Sequence, residues 1–355
     1  MVQTTRITTP VSQLVRLALE GLPPREQDVL KRRYGLDSSH EEQTLAAVGI
    51  RYGVTRERVR QIEAFALAQA RKNMRGSALR AFAEEGARIA NEAGGVFRED
   101  EFLAAFREAV GDRTPEAEFA QAAKFILEVS DKLMRHRDDD RFYAFWYGNE
   151  TDAARCARYE EKFITLVKDR RDELFASAGA FMTAAMDGVK PFRFDEATAR
   201  RWLAVSKRFV VNPYGDWGLA EWPEANPKTA RDWAYLILKK EQKPFHFTEL
   251  ARMIRKLRKD KVTNVQTVHN ELIKDDRFML VGRGSYGLSE FGIIPGTARE
   301  VIAHFLKKHG SLKFSELAKL ILRERSFKES TILINLQNRE FFRKLEDGRY
   351  TVEEV

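Results

Sequence analysis

Gly53-Val54-Thr55-Arg56-Glu57-Arg58-Val59-Arg60-Gln61-Ile62-Glu63 packs a turn residue, a helix cap and a row of long polar side chains into one short run. Gly53 supplies the positive φ that a tight turn between helices commonly needs, and the Thr55 hydroxyl is placed to accept from the backbone N–H of Arg58. In the helix that follows, Val59, Ile62 and Leu67, with Ala66 beside them, fall at the spacing of a buried stripe. Arg56, Glu57, Arg60 and Gln61 project from the other side. Arg and Gln pair bidentately with base edges, Glu accepts from a cytosine amino group, and further Arg side chains hold phosphates. A solvated helix laced with charge pairs among Arg56, Arg60 and Glu63 is the alternative, and the neighbouring sequence bears on the choice.

Val11, Leu14, Val15 and Leu17 to Leu19 recur at helical spacing before Gly21, Pro23 and Pro24 interrupt. A helix opens at Pro24, carries Val29, Leu30 and Tyr34 along its inner side and ends at Gly35. After the polar loop from Asp37 to Gln43, Thr44 caps a short helix from Leu45 to Tyr52. Together these form a helix-turn-helix. Leu22-Pro23-Pro24-Arg25-Glu26, Arg32-Arg33-Tyr34-Gly35-Leu36, Thr44-Leu45-Ala46-Ala47-Val48-Gly49 and Gly53 to Ala64 resemble region four of bacterial primary-type sigma factors, over about residues 20–72.

That resemblance implies a second helix lying in the major groove of the upstream promoter element, and a domain that docks on the flap of the RNA polymerase β subunit. By position it implies base contacts for Arg56, Glu57 and Gln61, phosphate or supporting contacts for Arg58 and Arg60, and backbone contact at Thr44, with the cap Thr55 in the same DNA-binding set. The sequence departs from the family in two respects. Phe65-Ala66-Leu67-Ala68-Gln69-Ala70 is apolar and neutral where basic residues are usual, which suits packing on protein. No acidic and aromatic helix set resembling the promoter-melting region lies upstream, so a complete sigma factor is not expected.

Beyond this, an Ala-rich helix over 77–91 ends at Gly94-Gly95, and helix, helix and aromatic strand signals up to Tyr147 read as a winged helix. Residues 151–224 read as a long helical segment followed by half of another winged helix, with Asn212-Pro213-Tyr214-Gly215 as its turn. Then a module repeats. Thr229-Ala230-Arg231-Asp232, Phe247-Thr248-Glu249-Leu250-Ala251 and Gly284-Ser285-Tyr286-Gly287-Leu288 are echoed by Thr297-Ala298-Arg299-Glu300, Phe314-Ser315-Glu316-Leu317-Ala318 and Gly348-Arg349-Tyr350-Thr351-Val352. Pro244 to Ala251, Gln266 to Leu272 and Arg277 to Leu288 give the first copy a resemblance to the HARE type of helix-turn-helix, a winged helix related to the N-terminal domain of the polymerase delta subunit. The expected fold is mainly α, with tandem helix-turn-helix and winged-helix modules and small two-stranded β wings. The expected segments are 1–19, 20–75, 76–150, 151–224, 228–292 and 296–355.

In the first copy Arg252, Arg255, Lys256, Arg258, Lys259 and Lys261 crowd one stretch, and Gln266, Thr267, His269 and Asn270 follow on the third helix. Such a cluster is commonly a solvated face; coupled to a helix-turn-helix, it is also a candidate DNA contact, with Arg283 at the wing tip reaching a neighbouring groove or phosphate. The whole chain of 355 residues carries a formal net charge of +8 and a pI near 9.4, which favours an anionic partner, nucleic acid ahead of a membrane surface.

Cys156 is the single cysteine, which excludes an intramolecular disulfide framework and fits a reducing cytosol. No Gly-rich phosphate loop, nucleophile elbow, metal-ligand spacing or paired-carboxylate motif occurs, so neither catalysis nor a cofactor is expected. The N-terminus carries no apolar signal core, and no apolar run reaches the roughly 18 residues of a spanning helix. The expectation is a cytoplasmic, nucleoid-associated bacterial regulator that binds duplex DNA and RNA polymerase. The rival is a delta-like accessory subunit acting through protein contacts.

Overall fold

In a computed structural model of the chain, described over residues 9–176, 179–258, 263–282, 284–292, 296–324 and 327–353, short helices with one apolar stripe each are gathered into two compact units, 1–210 and 211–355. The fold is mainly helical with small antiparallel sheets.

The first unit begins with α1 (Val11–Ala18), α2 (Pro24–Arg33), α3 (Leu45–Tyr52) and α4 (Arg56–Asn73). Pro24 stands at the start of α2, where its missing N–H costs no helical bond. Thr44 and Thr55 cap α3 and α4 through their hydroxyls, and Gly53 between them adopts φ 62°. The turn is also tight at Gly49, where an added Cβ would lie 2.7 Å from the Val54 carbonyl oxygen. Val29, Val48, Val59 and Ile62 make a small core under the three helices, flanked by Leu45, Tyr52 and Val54.

The chain continues through α5 (Ser77–Glu92), β1 (Val96–Arg98), α6 (Glu99–Val110), α7 (Glu116–Ser130), β2 (Met134–His136) and β3 (Phe145–Tyr147). A second, larger core runs through Phe82, Phe102, Phe106, Phe119 and Trp146 of this winged helix and takes in Val11 and Leu14 of α1, Leu30 and Tyr34 at α2, and Ala66 and Ala70 of α4. The N-terminal stretch expected as an extension therefore contributes α1 to the interior. Its first amide donates to the Asp112 carboxylate at 2.8 Å, and Asn73 at the end of α4 donates to the carbonyls of Ala18 and Glu20. Arg135 is paired with Glu99 and lies 3.2 Å from Glu128 and 3.7 Å from Glu42 of the α2–α3 loop. Burial works against the Arg135 charge, yet these carboxylates hold it more firmly protonated than usual.

Helices α8 (Glu150–Val167), α9 (Arg171–Ala176), α10 (Ala180–Asp187) and α11 (Glu196–Ala204) complete the first unit, and β4 (Phe209–Val211) lies where the units divide. Tyr159, Phe163 and Trp202 are fully buried here. Glu160, also buried, accepts from Arg141 and Ser206.

The second unit holds β5 (Trp217–Leu219) and the two repeated modules. The first is α12 (Ala230–Glu241), β6 (Phe245–His246), α13 (Phe247–Arg258), α14 (Val265–Lys274), β7 (Phe278–Gly282) and β8 (Ser285–Leu288). The second is α15 (Ala298–His309), β9 (Leu312–Lys313), α16 (Phe314–Glu324), α17 (Glu329–Leu336), β10 (Phe342–Lys344) and β11 (Arg349–Val352). Thr229 and Thr297 form matching capping boxes with Asp232 and Glu300. Three of the hairpins gain a third short strand: the residues just before the second helix of a module run antiparallel to the hairpin's later strand, in the orders β1-β3-β2, β6-β8-β7 and β10-β11-β9. Each module keeps its own core, the first around Leu250, Ile254, Val268 and Leu272, the second around Leu317, Ile321, Ile332 and Leu336.

Two outcomes follow for the helix-turn-helix. Gly49→Ala lowers stability by about 1–3 kcal/mol, because the methyl meets backbone that cannot rotate away; urea unfolding checks this. Asp28 accepts from the Tyr52 hydroxyl and from Arg32. Burial alone would raise its carboxyl, but these bonds outweigh burial and hold it below its ordinary value of 3.8. A depressed carboxyl stabilises the fold above its unfolded value and loses that contribution as pH falls, so Tyr52→Phe moves the onset of acid unfolding to higher pH.

Candidate nucleic-acid interface

The first turns of α4 form an exposed polar face. Thr44, Thr55, Arg56, Glu57, Arg58, Arg60 and Gln61 are all exposed, while Val59 and Ile62 point inward. Glu57 and Arg60 form a bidentate pair, with N–O distances of 2.9 and 2.7 Å. Arg60, as hydrogen-bond donor, holds the Glu57 carboxyl below its ordinary value. Arg58 donates to the Gln61 side-chain oxygen at 3.1 Å. Arg56 makes no side-chain hydrogen bond or ion pair among the described residues. Exposed pairs of this kind are worth little and exchange readily, so these donors and acceptors are available to a partner.

Glu63 does not belong to that face. It pairs at 2.9 Å with Arg33 of α2, both side chains largely buried, and Arg33 also donates to the Gln43 carbonyl. Sequence reasoning missed this role, since nothing local marks a Glu that pairs across thirty positions. It also missed the exposed apolar side chain of Ile50 of α3, at 84%; Phe65 of α4, in the apolar run read as suited to packing on protein, is 54% exposed. Phe65 stands one helical step beyond Gln61 on the same side, with Ala64 and Ala68 exposed beside it.

The second candidate surface lies on the first repeated module. Arg252, Arg255 and Lys256 are exposed on α13 and Arg258 is partly so; Lys259, Lys261 and Arg283 lie outside the described residues. Asn264 caps α14 by accepting from the amides of Gln266 and Thr267. Gln266 donates to Asn270 one turn on at 3.1 Å, which fixes these two on one exposed face together with Thr267. His269 is placed differently: its ring stacks on Phe247 at 4.3 Å and meets the edge of Tyr286 at 5.8 Å. The structure uses it to pack α14 against α13 and the wing.

Residues 18–72 match the family Sigma-70, region 4. The chain is 45% identical over 74 residues to RNA polymerase sigma factor RpoD of Neisseria gonorrhoeae, covering 21% of this chain and 11% of that protein. It is 50% identical over 64 residues to RNA polymerase sigma factor SigA of Nostoc sp., covering 18% and 16%. With RNA polymerase sigma factor SigA1 of Synechococcus elongatus it shares 49% identity over 73 residues, covering 19% and 18%. The chain thus carries a domain similar to sigma region 4, and spans under a fifth of the length of these curated relatives. No helix among the described residues is long and apolar enough to cross a membrane.

Because aromatic stacking and not solvent holds His269, His269→Ala costs about 0.5–1.5 kcal/mol of stability, and His269→Phe restores most of it. Thermal unfolding of the two variants separates this packing role from a purely solvent-facing one.

Proposed function

We propose that the chain is a DNA-binding regulator of transcription, sigma-factor-like, which recognises promoter-type duplex DNA through α4 and associates with RNA polymerase. The observation that carries this reading is the exposed Arg56, Glu57, Arg58, Arg60 and Gln61 face on the second helix of a helix-turn-helix, inside the stretch similar to sigma region 4.

The chemistry of recognition divides along that face. Arg56 and Gln61 offer bidentate donors or a donor–acceptor pair to guanine and adenine edges, and Glu57 offers an acceptor to cytosine. Arg58 and Arg60 sit at neighbouring phosphates. The Glu57–Arg60 pair is exposed and exchanges readily, so both groups can turn to a base or a phosphate on docking. Thr44, at the start of α3, adds a contact to the sugar–phosphate backbone. On RNA polymerase the docking partner in this reading is the β flap, and the surface that meets it includes the exposed Ile50 of α3.

The first module of the second unit belongs to this proposal as a HARE-type winged helix whose Arg255, Lys256 and Arg258 add phosphate contacts. The protein works in the cytoplasm at the nucleoid and performs no bond chemistry. Its role is to address a complex to DNA.

Binding to duplexes with and without the upstream promoter element tests this. Arg56→Ala and Gln61→Ala each lose about 1–3 kcal/mol of discrimination between the two duplexes. Arg255→Ala weakens both duplexes equally and flattens the salt dependence. Equal affinity for both duplexes in wild type and variants overturns the sequence-reading role. Co-purification with polymerase without any salt-sensitive DNA affinity selects a delta-like accessory subunit instead.

A further inference from the structure

The two modules of the second unit are copies in which α13 aligns with α16 and α14 with α17 without gaps inside the helices, and that alignment allows their surfaces to be compared position by position. Leu250, Ala251 and Ile254 of α13 are buried as Leu317, Ala318 and Ile321 of α16 are, and Val268 and Leu272 of α14 as Ile332 and Leu336 of α17. The interior has been kept. At the surface Arg255 is replaced by Leu322 and Asn270 by Ile334, and the packing residue His269 is replaced by Leu333.

These replacements change what the outward face offers. Leu322 is 38% exposed, Leu333 37% and Ile334 66%. On α17 this stripe reads Ser330, Leu333, Ile334 and Gln337, and the matching positions of α14 are Gln266, His269, Asn270 and Ile273, so the change lies at the two central positions. Leu and Ile have no donor or acceptor for a base edge, so a helix bearing them at these positions is poorly made for groove readout. Two adjacent aliphatics exposed on one helix face instead provide an anchor for apolar side chains of a protein.

We propose that the exposed face of α16 and α17 docks an amphipathic helix of a partner protein whose apolar stripe is flanked by acidic residues. The acidic flanks follow from what surrounds the aliphatics. Lys319, Arg323 and Lys328 are exposed and form no ion pair among the described residues. Of the nearby carboxylates, Glu316 accepts from the Lys313 amide, and Glu329 sits in the first turn of α17, where the helix end favours a negative charge. A second copy of this chain fits less well, because a two-fold contact through this face would bring the three cations of both copies into one interface. The inference does not depend on α4 reading DNA.

The full chain is titrated with a fluorescent synthetic amphipathic peptide carrying a Leu stripe and Glu flanks, alongside the same peptide with Lys flanks and a duplex DNA. The Glu-flanked peptide binds in preference, and more weakly as salt rises. Ile334→Asn and Leu333→His, which restore the residues of the first module at exposed positions, weaken it about tenfold while DNA affinity and thermal midpoint stay constant. Lys319→Glu with Arg323→Glu reverses the preference between the two peptides, an outcome that misfolding cannot imitate. Failure of the Glu-flanked peptide to bind, equal binding of both peptides, or indifference to these variants overturns the proposal. Loss of DNA affinity in Ile334→Asn overturns it in favour of nucleic acid, and loss of self-association there in favour of a second copy.

Discussion

A single helix, α4, belongs to two cores, and the arrangement of the first unit depends on it. Its N-terminal half buries Val59 and Ile62 in the small helix-turn-helix core. Its C-terminal half buries Ala66 and Ala70, with Leu67 against them, in the larger core shared with α1 and the winged helix. The small core alone buries only a few aliphatics, at about 25 cal/mol per Å² of apolar surface removed from water, and a domain of that size is marginal. Continuity of α4 couples it to a much larger apolar interior. The exposed polar face therefore stands on a helix whose direction is set at both ends.

The same arrangement gives a physical reason for the departure from the sigma pattern. Where the family usually continues with basic residues, this chain has Phe65 to Ala70, because half of that stretch is interior. Ala66 and Ala70 are small since α4 approaches its neighbours closely there, with both residues fully buried. Charge resumes only at Arg71 and Lys72, and Arg71 meets Asp131 at 3.2 Å. Basic residues at Ala66 or Ala70 would bury unpaired charge. Packing thus accounts for Ala66 and Ala70, while on the exposed side Ala64, Phe65 and Ala68 replace the polar face of the first turns with an apolar surface.

What could be read from the sequence was what local chemistry decides. The φ of Gly53, the Thr44 and Thr55 caps and the inward stripe of Val59 and Ile62 each depend on a few neighbouring residues, and the structure has all of them. The repeat was legible because both copies keep their capping Thr and their buried Leu, Ala and Ile. Long-range pairing was not legible. Glu63 looks the same in sequence whether it faces solvent or Arg33, and the third strand of each wing is too short to leave a period. His269 has the chemistry of a base-reading residue and the placement of a packing residue, and only the Phe247 ring beside it tells them apart.

Repetition also makes divergence informative in a way a single module does not. Two copies that hold the same interior register are under the same packing constraint, so a change confined to exposed positions cannot be attributed to the core. Arg255 and Asn270 against Leu322 and Ile334 is such a change. Exposed aliphatics do nothing for a solvated helix and cost solubility, whereas Lys and Arg in the same places cost nothing. Retaining three of them on adjacent helices, beside cations without carboxylate partners among the described residues, is the pattern expected where desolvation on binding and not phosphate neutralisation supplies the affinity. The second unit thus holds two copies of one module, one with Arg255 and Asn270 on its exposed face and the other with Leu322 and Ile334.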